Sequence, residues 1–201
     1  MTVDTWRLDQ GQALPLFIWI SGMLLFVAFA FFAFAQAAVA RNGAQSAADA
    51  AALAAAQESR LVLFDGLVES IGDGDGWLEW LYAESAVGDG AEVEASRLAS
   101  LNGADLVGFR VESRKNLPAF WARVRNVDAV GESVVPGTET AKASAEAVAA
   151  VEPRCAVEEG IDPDDEVAFR CDGERFVIDP GDFDESDLPE VDEMFAARLV
   201  G

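Results

Sequence analysis

The chain has 201 residues, a net charge of −22 at pH 7 and no histidine. So acidic a surface repels phosphate backbones and anionic headgroups, so we expect no nucleic-acid partner. Without histidine the commonest general base and transition-metal ligand are missing, and no G-x-S-x-G, Walker or H-E-x-x-H motif occurs. The sequence therefore predicts neither an enzyme nor a bound cofactor.

Residues 1–12 precede a stretch of apolar residues, 13–35, that contains no charged side chain. At a rise of ~1.5 Å per residue, a helix of this length spans the ~30 Å hydrocarbon core of a bilayer. The competing interpretation is a signal peptide cleaved after residues 38–40, whose Ala-Val-Ala resembles a cleavage site. The apolar run exceeds the ~7–15 residues of a signal-peptide core, so we interpret it as an uncleaved transmembrane helix in a lipid bilayer.

The orientation of this helix is predicted from the cysteines, because Arg7 and Arg41 on its two sides balance each other. Cys155 and Cys171 are the only two cysteines, and an even number in a membrane-crossing chain favours one disulfide outside the cytoplasm. We therefore expect a single-pass protein of the cell membrane, with residues 1–12 in the cytoplasm and the C-terminal part outside.

Residues 36–60 are rich in alanine and continue the helical pattern. Residues at spacings of four share a face of such a helix, and two sets recur in this way. The polar set is Arg41, Gln45 and Asp49, and the small set is Ala44, Ala48 and Ala52. Two interpretations are open: the helix folds down on its own domain, or it is an assembly surface where helices of several copies pack closely.

Residues 61–201 are predicted to form an extracytoplasmic α+β domain with an acidic C-terminal part. A short helix over 61–71 is followed by a loop, and Trp77, Trp80 and Leu81 share the core-facing side of the next helix. The further elements are a helix over 91–101, strands over 104–111 and 119–127, a stretch over 140–151 in which strand is favoured over helix, and a hairpin turning at Asp172-Gly173. The predicted fold class is thus α+β: a long transmembrane helix continuing into a helical segment, then a small antiparallel sheet with one disulfide.

Two carboxylate clusters, within residues 162–166 and 179–187, invite comparison with calcium sites, which use oxygen ligands in loops. Neither cluster fits the D-x-[DN]-x-[DN]-G-x₅-E spacing, and residues 73–76 fail at the following position, Trp77. In a chain with 36 acidic residues such clusters arise by chance, so we predict no metal site.

The stretch from residue 10 to residue 57 resembles the TadE/TadG-like proteins of Flp (tight adherence) pilus assembly. The likeness is carried by Gly-Gln-Ala-Leu-Pro before the apolar run and by R-x-x-x-Q-S-A-A-D-A-A-A-L-A from Arg41 to Ala54. Residues 97–103, Arg-Leu-Ala-Ser-Leu-Asn-Gly, are also similar. The resemblance implies a membrane-anchored, minor pilin-like or assembly component of a type IV-related secretion system, with other pilus subunits or further copies as partners.

One position departs from the pattern of processed members of that family. Members cut by prepilin peptidase carry glutamate at the fifth position after the cleaved glycine, whereas cleavage after Gly11 would place Leu16 there. We therefore expect an uncleaved N-terminus. The alternative function is a monomeric envelope-anchored binding or sensor module whose acidic domain engages a cationic ligand.

Overall fold

The longest element of the fold is one N-terminal helix, against which the other helices and the main sheet pack. The computed structural model describes residues 13–84, 90–129, 140–158 and 166–201, and its first element is a helix, α1, over Ala13–Ser70. At ~1.5 Å per residue these 58 residues span ~87 Å. The predicted separate helix over 61–71 is wrong in its start, because α1 continues through Ser70 with no proline to end it.

Two short helices follow and pack on α1. Helix α2 covers Trp77–Leu81, and helix α3 covers Ala91–Leu101, as the pattern predicts. The pattern predicts this helix over 77–85, whereas α2 ends at Leu81 and residue 85 lies outside the described residues. Helix α3 buries Ala91, Ala95 and Ala99, one alanine per turn, so its axis can approach α1 closely.

The main sheet has four antiparallel strands: β1 Ala104–Arg114, β2 Leu117–Asn126, β3 Ser144–Pro153 and the C-terminal strand Phe195–Leu199. The strand predictions for the first three are confirmed, including the preference for strand in the alanine-rich third. The C-terminal strand lies beside β3 and is missed by the sequence pattern, because its five residues give little periodicity.

A second sheet of three short strands joins β4 Cys155–Val157, β5 Val167–Cys171 and β6 Glu174–Ile178. The C-terminal strand of the main sheet is accordingly β7. The predicted hairpin is confirmed: β5 and β6 turn at Asp172-Gly173, where both residues have positive φ. Cys155 and Cys171 face each other in the β4–β5 register and form the predicted disulfide.

The C-terminal residues between the sheets form two short 3₁₀ turns, Pro180–Asp182 and Glu185–Asp187, and a four-residue helix, α4, over Val191–Met194. The core lies between α1 and one side of the main sheet and extends to the small sheet. Its largest buried side chains include Phe120, Phe169 and Phe195. The predicted α+β class, with a long apolar N-terminal helix, antiparallel sheets and one disulfide, is confirmed.

Candidate membrane anchor and assembly surface

The first part of α1 exposes its apolar side chains on every side. Between Leu14 and Phe34 the large hydrophobic side chains are roughly half to three-quarters exposed, and Trp19 reaches 76%. The most apolar window of the helix has a mean hydropathy of 2.4, and none of it is buried in the protein. Among the described residues α1 is the one helix long and apolar enough to cross a membrane. We call residues 13–35 the anchor segment. So many exposed apolar side chains are unfavourable in water, so this segment requires an apolar environment such as a lipid bilayer.

The environment changes within the same helix after residue 43. Ala44, Ala48 and Ala52 are fully buried, on the side of α1 that packs against β2 and β3. The facing strand β3 offers Ala147 and Ala149, which are also buried. Small side chains on both surfaces bring helix and sheet close together, and the three alanines thus contact the protein's own domain. This matches the first of the two interpretations left open by the sequence.

The polar set on α1 lies beside that buried side. The Gln45 side-chain amide donates to Asp49 Oδ1 at 2.8 Å and also reaches the carbonyl of Glu146 on β3 at 3.5 Å. Gln45 and Arg41 are exposed, and Asp49 is half-buried. The structure therefore brings Gln45 and Asp49 together, whereas Arg41 has no ion-pair partner among the described residues.

Two hydrogen bonds that no local pattern could indicate tie α1 to the sheet at both ends. Asn126 Nδ2 on β2 donates to the carbonyl of Ala40 at 3.1 Å, next to the anchor segment. Arg60 Nη1 donates to the carbonyl of Phe195 on β7 at 3.1 Å. The contacts span 86 and 135 residues of sequence, so only the fold identifies them. These two hydrogen bonds fix the sheet against the part of α1 that continues without a break from the anchor segment.

Near the C-terminal end of α1, the ring of Trp80 packs directly against Gly66. A Cβ at Gly66 would lie 2.3 Å from Trp80 Cε3, so only glycine lets this ring sit on the helix. Trp77 and Leu81 are buried in the core, as the sequence predicts, and half-buried Trp80 packs against it. The glycine itself gives no sequence signal, because its role depends on a ring fourteen positions away.

The carboxylates of the second cluster serve the backbone of the 3₁₀ turns. Asp184 accepts from the amide and hydroxyl of Ser186 at 3.0 and 2.6 Å, and these hydrogen bonds lower the pKa of Asp184. Asp179 and Asp187 accept from backbone amides in the same way. No three acidic, cysteine or histidine side chains converge within the described ranges. Of the first cluster, residues 162–165 lie outside the described residues, and Glu166 pairs with Arg175 at 3.6 Å.

Comparison with known proteins adds one match. Residues 11–58 match the family described as putative Flp pilus-assembly TadE/G-like. The matched segment holds the anchor segment and the turns of α1 with the buried alanines, and it ends before Arg60. No curated protein and no solved structure matches the chain.

Proposed function

We propose that this protein is a single-pass membrane component of a Flp/Tad pilus-assembly system, in which it acts as a minor pilin-like or assembly subunit. The observation that carries the proposal is the match over residues 11–58 to a pilus-assembly family. That match covers the part of α1 that leaves the bilayer and enters the domain. A role in pilus assembly follows from the family, and the minor pilin-like role is our extension of it.

In the proposed topology residues 1–12 lie in the cytoplasm, residues 13–35 cross the membrane and the domain that begins with residue 36 lies outside. The disulfide between Cys155 and Cys171 supports an oxidising compartment for that domain. Variants with one added cysteine test the orientation, because the two native cysteines are bonded to each other and do not react with a maleimide. Ser186→Cys should react with a membrane-impermeant maleimide on intact cells, and Thr2→Cys only after lysis. The reverse labelling would contradict the topology.

We assign the assembly contacts of α1 to its polar set and to the exposed residues beside it, not to its buried alanines. Asn42, Ser46 and Gln57 are exposed, and their spacings of four and eleven residues, about one and three helical turns, place them on one side of α1. In the membrane, the anchor segment offers its full circumference to sister helices or to lipid.

Cysteine cross-linking in the membrane of the source organism tests this assignment. Ser46→Cys should give homotypic or pilus-subunit products, and Val93→Cys, on the exposed side of α3, should not. A full-length chain that stays monomeric at every tested position of α1 would favour the alternative of a binding or sensor module. Deletion of the gene should also abolish surface filaments, and filaments that persist unchanged would refute a role in their assembly.

A further inference from the structure

The main sheet has a second side, which faces away from α1 and which we call the arginine face. Its strands alternate, so that Phe120, Ala122 and Val124 enter the core while their neighbours on β2 point outward. The register places the outward residues of all four strands side by side. The charged members are Asp105, Arg110, Glu112, Arg114, Arg123, Arg125, Glu146, Glu152 and Arg198.

This face concentrates the positive charge of a very acidic protein. It carries five of the fourteen basic residues of the chain and four carboxylates, a surplus of one positive charge where the whole chain carries −22. Glu112 binds two arginines, Arg114 at 2.6 Å and Arg110 at 3.0 Å, and these contacts lower the pKa of Glu112. Arg125 lies opposite Asp105 in the β1–β2 register and makes no ion pair within 4 Å among the described residues. The arginines therefore have donor capacity left for a further anion.

An aromatic platform lies at the centre of the face. The guanidinium of Arg110 lies 3.7 Å from the ring centroid of Trp121. The indole extends over Gly108 on β1, where a Cβ would approach its ring to 3.0 Å. The contact with the ring thus restricts the side chain of Arg110 and keeps its guanidinium close to the sheet. A pre-organised arginine loses less entropy when it binds a carboxylate.

The same chain carries a surface of opposite charge. Residues 179–193 contain eight carboxylates and no lysine or arginine. Asp182, Glu185 and Glu190 are exposed, and the capped 3₁₀ turns hold this acidic segment in a defined shape. The segment lies by Phe64, which belongs to α1 and therefore to the helix side of the sheet. Within one molecule, the acidic segment and the arginine face are on different sides.

We propose that the arginine face receives the acidic segment of a second copy of this chain. The inference rests on the proposed function, in which copies meet in one membrane. Because the two surfaces differ, the contact is heterologous and leaves an acidic segment and an arginine face free at its ends, so it can be repeated. Repulsion between the acidic remainders is screened beyond ~8 Å at physiological salt, whereas carboxylates and guanidiniums in contact keep their attraction.

Cross-linking between two differently marked full-length chains tests the pairing. Ser144→Cys lies on the arginine face and Ser186→Cys in the acidic segment, and both positions are exposed. Co-expressed in one membrane, the two variants should give the mixed product in excess over either homotypic product. Raising the salt to ~1 M, which shortens the screening length to ~3 Å, should reduce the yield of the mixed product.

Charge reversal supplies the matched control. Arg123→Glu with Arg125→Glu in the Ser144→Cys chain should reduce the mixed product by roughly tenfold or more, because like charges in contact cost several kcal/mol. Arg170→Glu with Arg175→Glu makes the same charge change on the small sheet, and should leave the yield unchanged. The near-UV circular dichroism of each variant verifies that its domain is folded.

Restoration of the product gives the strongest support. A chain with Asp182→Arg and Glu185→Arg should recover the mixed product with the reversed arginine face and lose it with the native one. If no mixed product forms, or if Ser144→Cys cross-links only to a different protein, the inference is overturned. Filament loss on gene deletion is measured separately. Lost filaments without the mixed product would therefore refute this pairing alone, and the mixed product with intact filaments would refute the proposed function alone.

Discussion

Gly66→Ala tests whether Trp80 is seated on the bare backbone of α1. The new methyl would lie 2.3 to 2.5 Å from three atoms of the indole, well inside van der Waals contact. Overpacking of this kind costs ~1–3 kcal/mol, against a gain of ~0.5–1 kcal/mol for replacing a helical glycine with alanine. Gly43→Ala is the matched control, since the same substitution in the same helix meets nothing within 4 Å.

The free energy of unfolding is measured by urea titration of the full-length protein in detergent micelles, followed by far-UV circular dichroism. We expect Gly43→Ala to stabilise by ~0.5–1 kcal/mol and Gly66→Ala to be less stable than that variant by ~1–3 kcal/mol. In a Trp80→Ala background the clash is absent, so Gly66→Ala should then stabilise like the control. If Gly66→Ala raises stability as much as Gly43→Ala with Trp80 present, the proposed seating of the ring is wrong.

Three further predictions use the same titration or its thermal equivalent. Ala48→Leu should lower the free energy of unfolding by ~1–3 kcal/mol because Ala48 is fully buried beneath the sheet, whereas Ser46→Leu, exposed on the same helix, should change it by no more than ~0.5 kcal/mol; equal effects would contradict the packing. Replacing both bonded cysteines by serine, Cys155→Ser and its partner, should cost ~3 kcal/mol, since the disulfide joins positions 16 residues apart; an unchanged urea midpoint would contradict this. The lowered pKa of Glu112 means that its stabilising contribution is present above the ordinary glutamate value of ~4.3 and is lost as the pH falls through the lowered value; Glu112→Gln should therefore have a lower melting temperature than the native protein at pH 7, and this difference should shrink towards pH 3.

Local signals predict the parts of the fold that are local. Helix α3 ends at Leu101 before Asn102-Gly103, and the β5–β6 hairpin turns at Asp172-Gly173, where both residues take the positive φ that such turns require. Strand β7 is different, because its pairing partner β3 lies more than forty residues earlier in the chain. Five residues carry too little periodicity to reveal a strand that is defined by so distant a neighbour.

The candidate site divides in the same way. The apolar run of the anchor segment is long enough to be recognised from sequence alone, and so is the capacity of alanines to pack closely. Which surface covers those alanines cannot be predicted from α1, because the covering residues belong to β2 and β3, far along the chain. The arginine face is hidden for the same reason, since its arginines come from three strands and only the sheet places them together.

The uninterrupted run of α1 from Ala13 to Ser70 has a mechanical consequence. No flexible linker separates the anchor segment from the domain, and the first bond to the sheet is already made at Ala40. The domain therefore cannot swivel on its anchor: its tilt above the bilayer is the tilt of the helix, and its height is fixed to within the compliance of one α-helix. A force on the domain would therefore be transmitted along the axis of α1 to the anchor segment, because no flexible segment between them can extend or bend to absorb it.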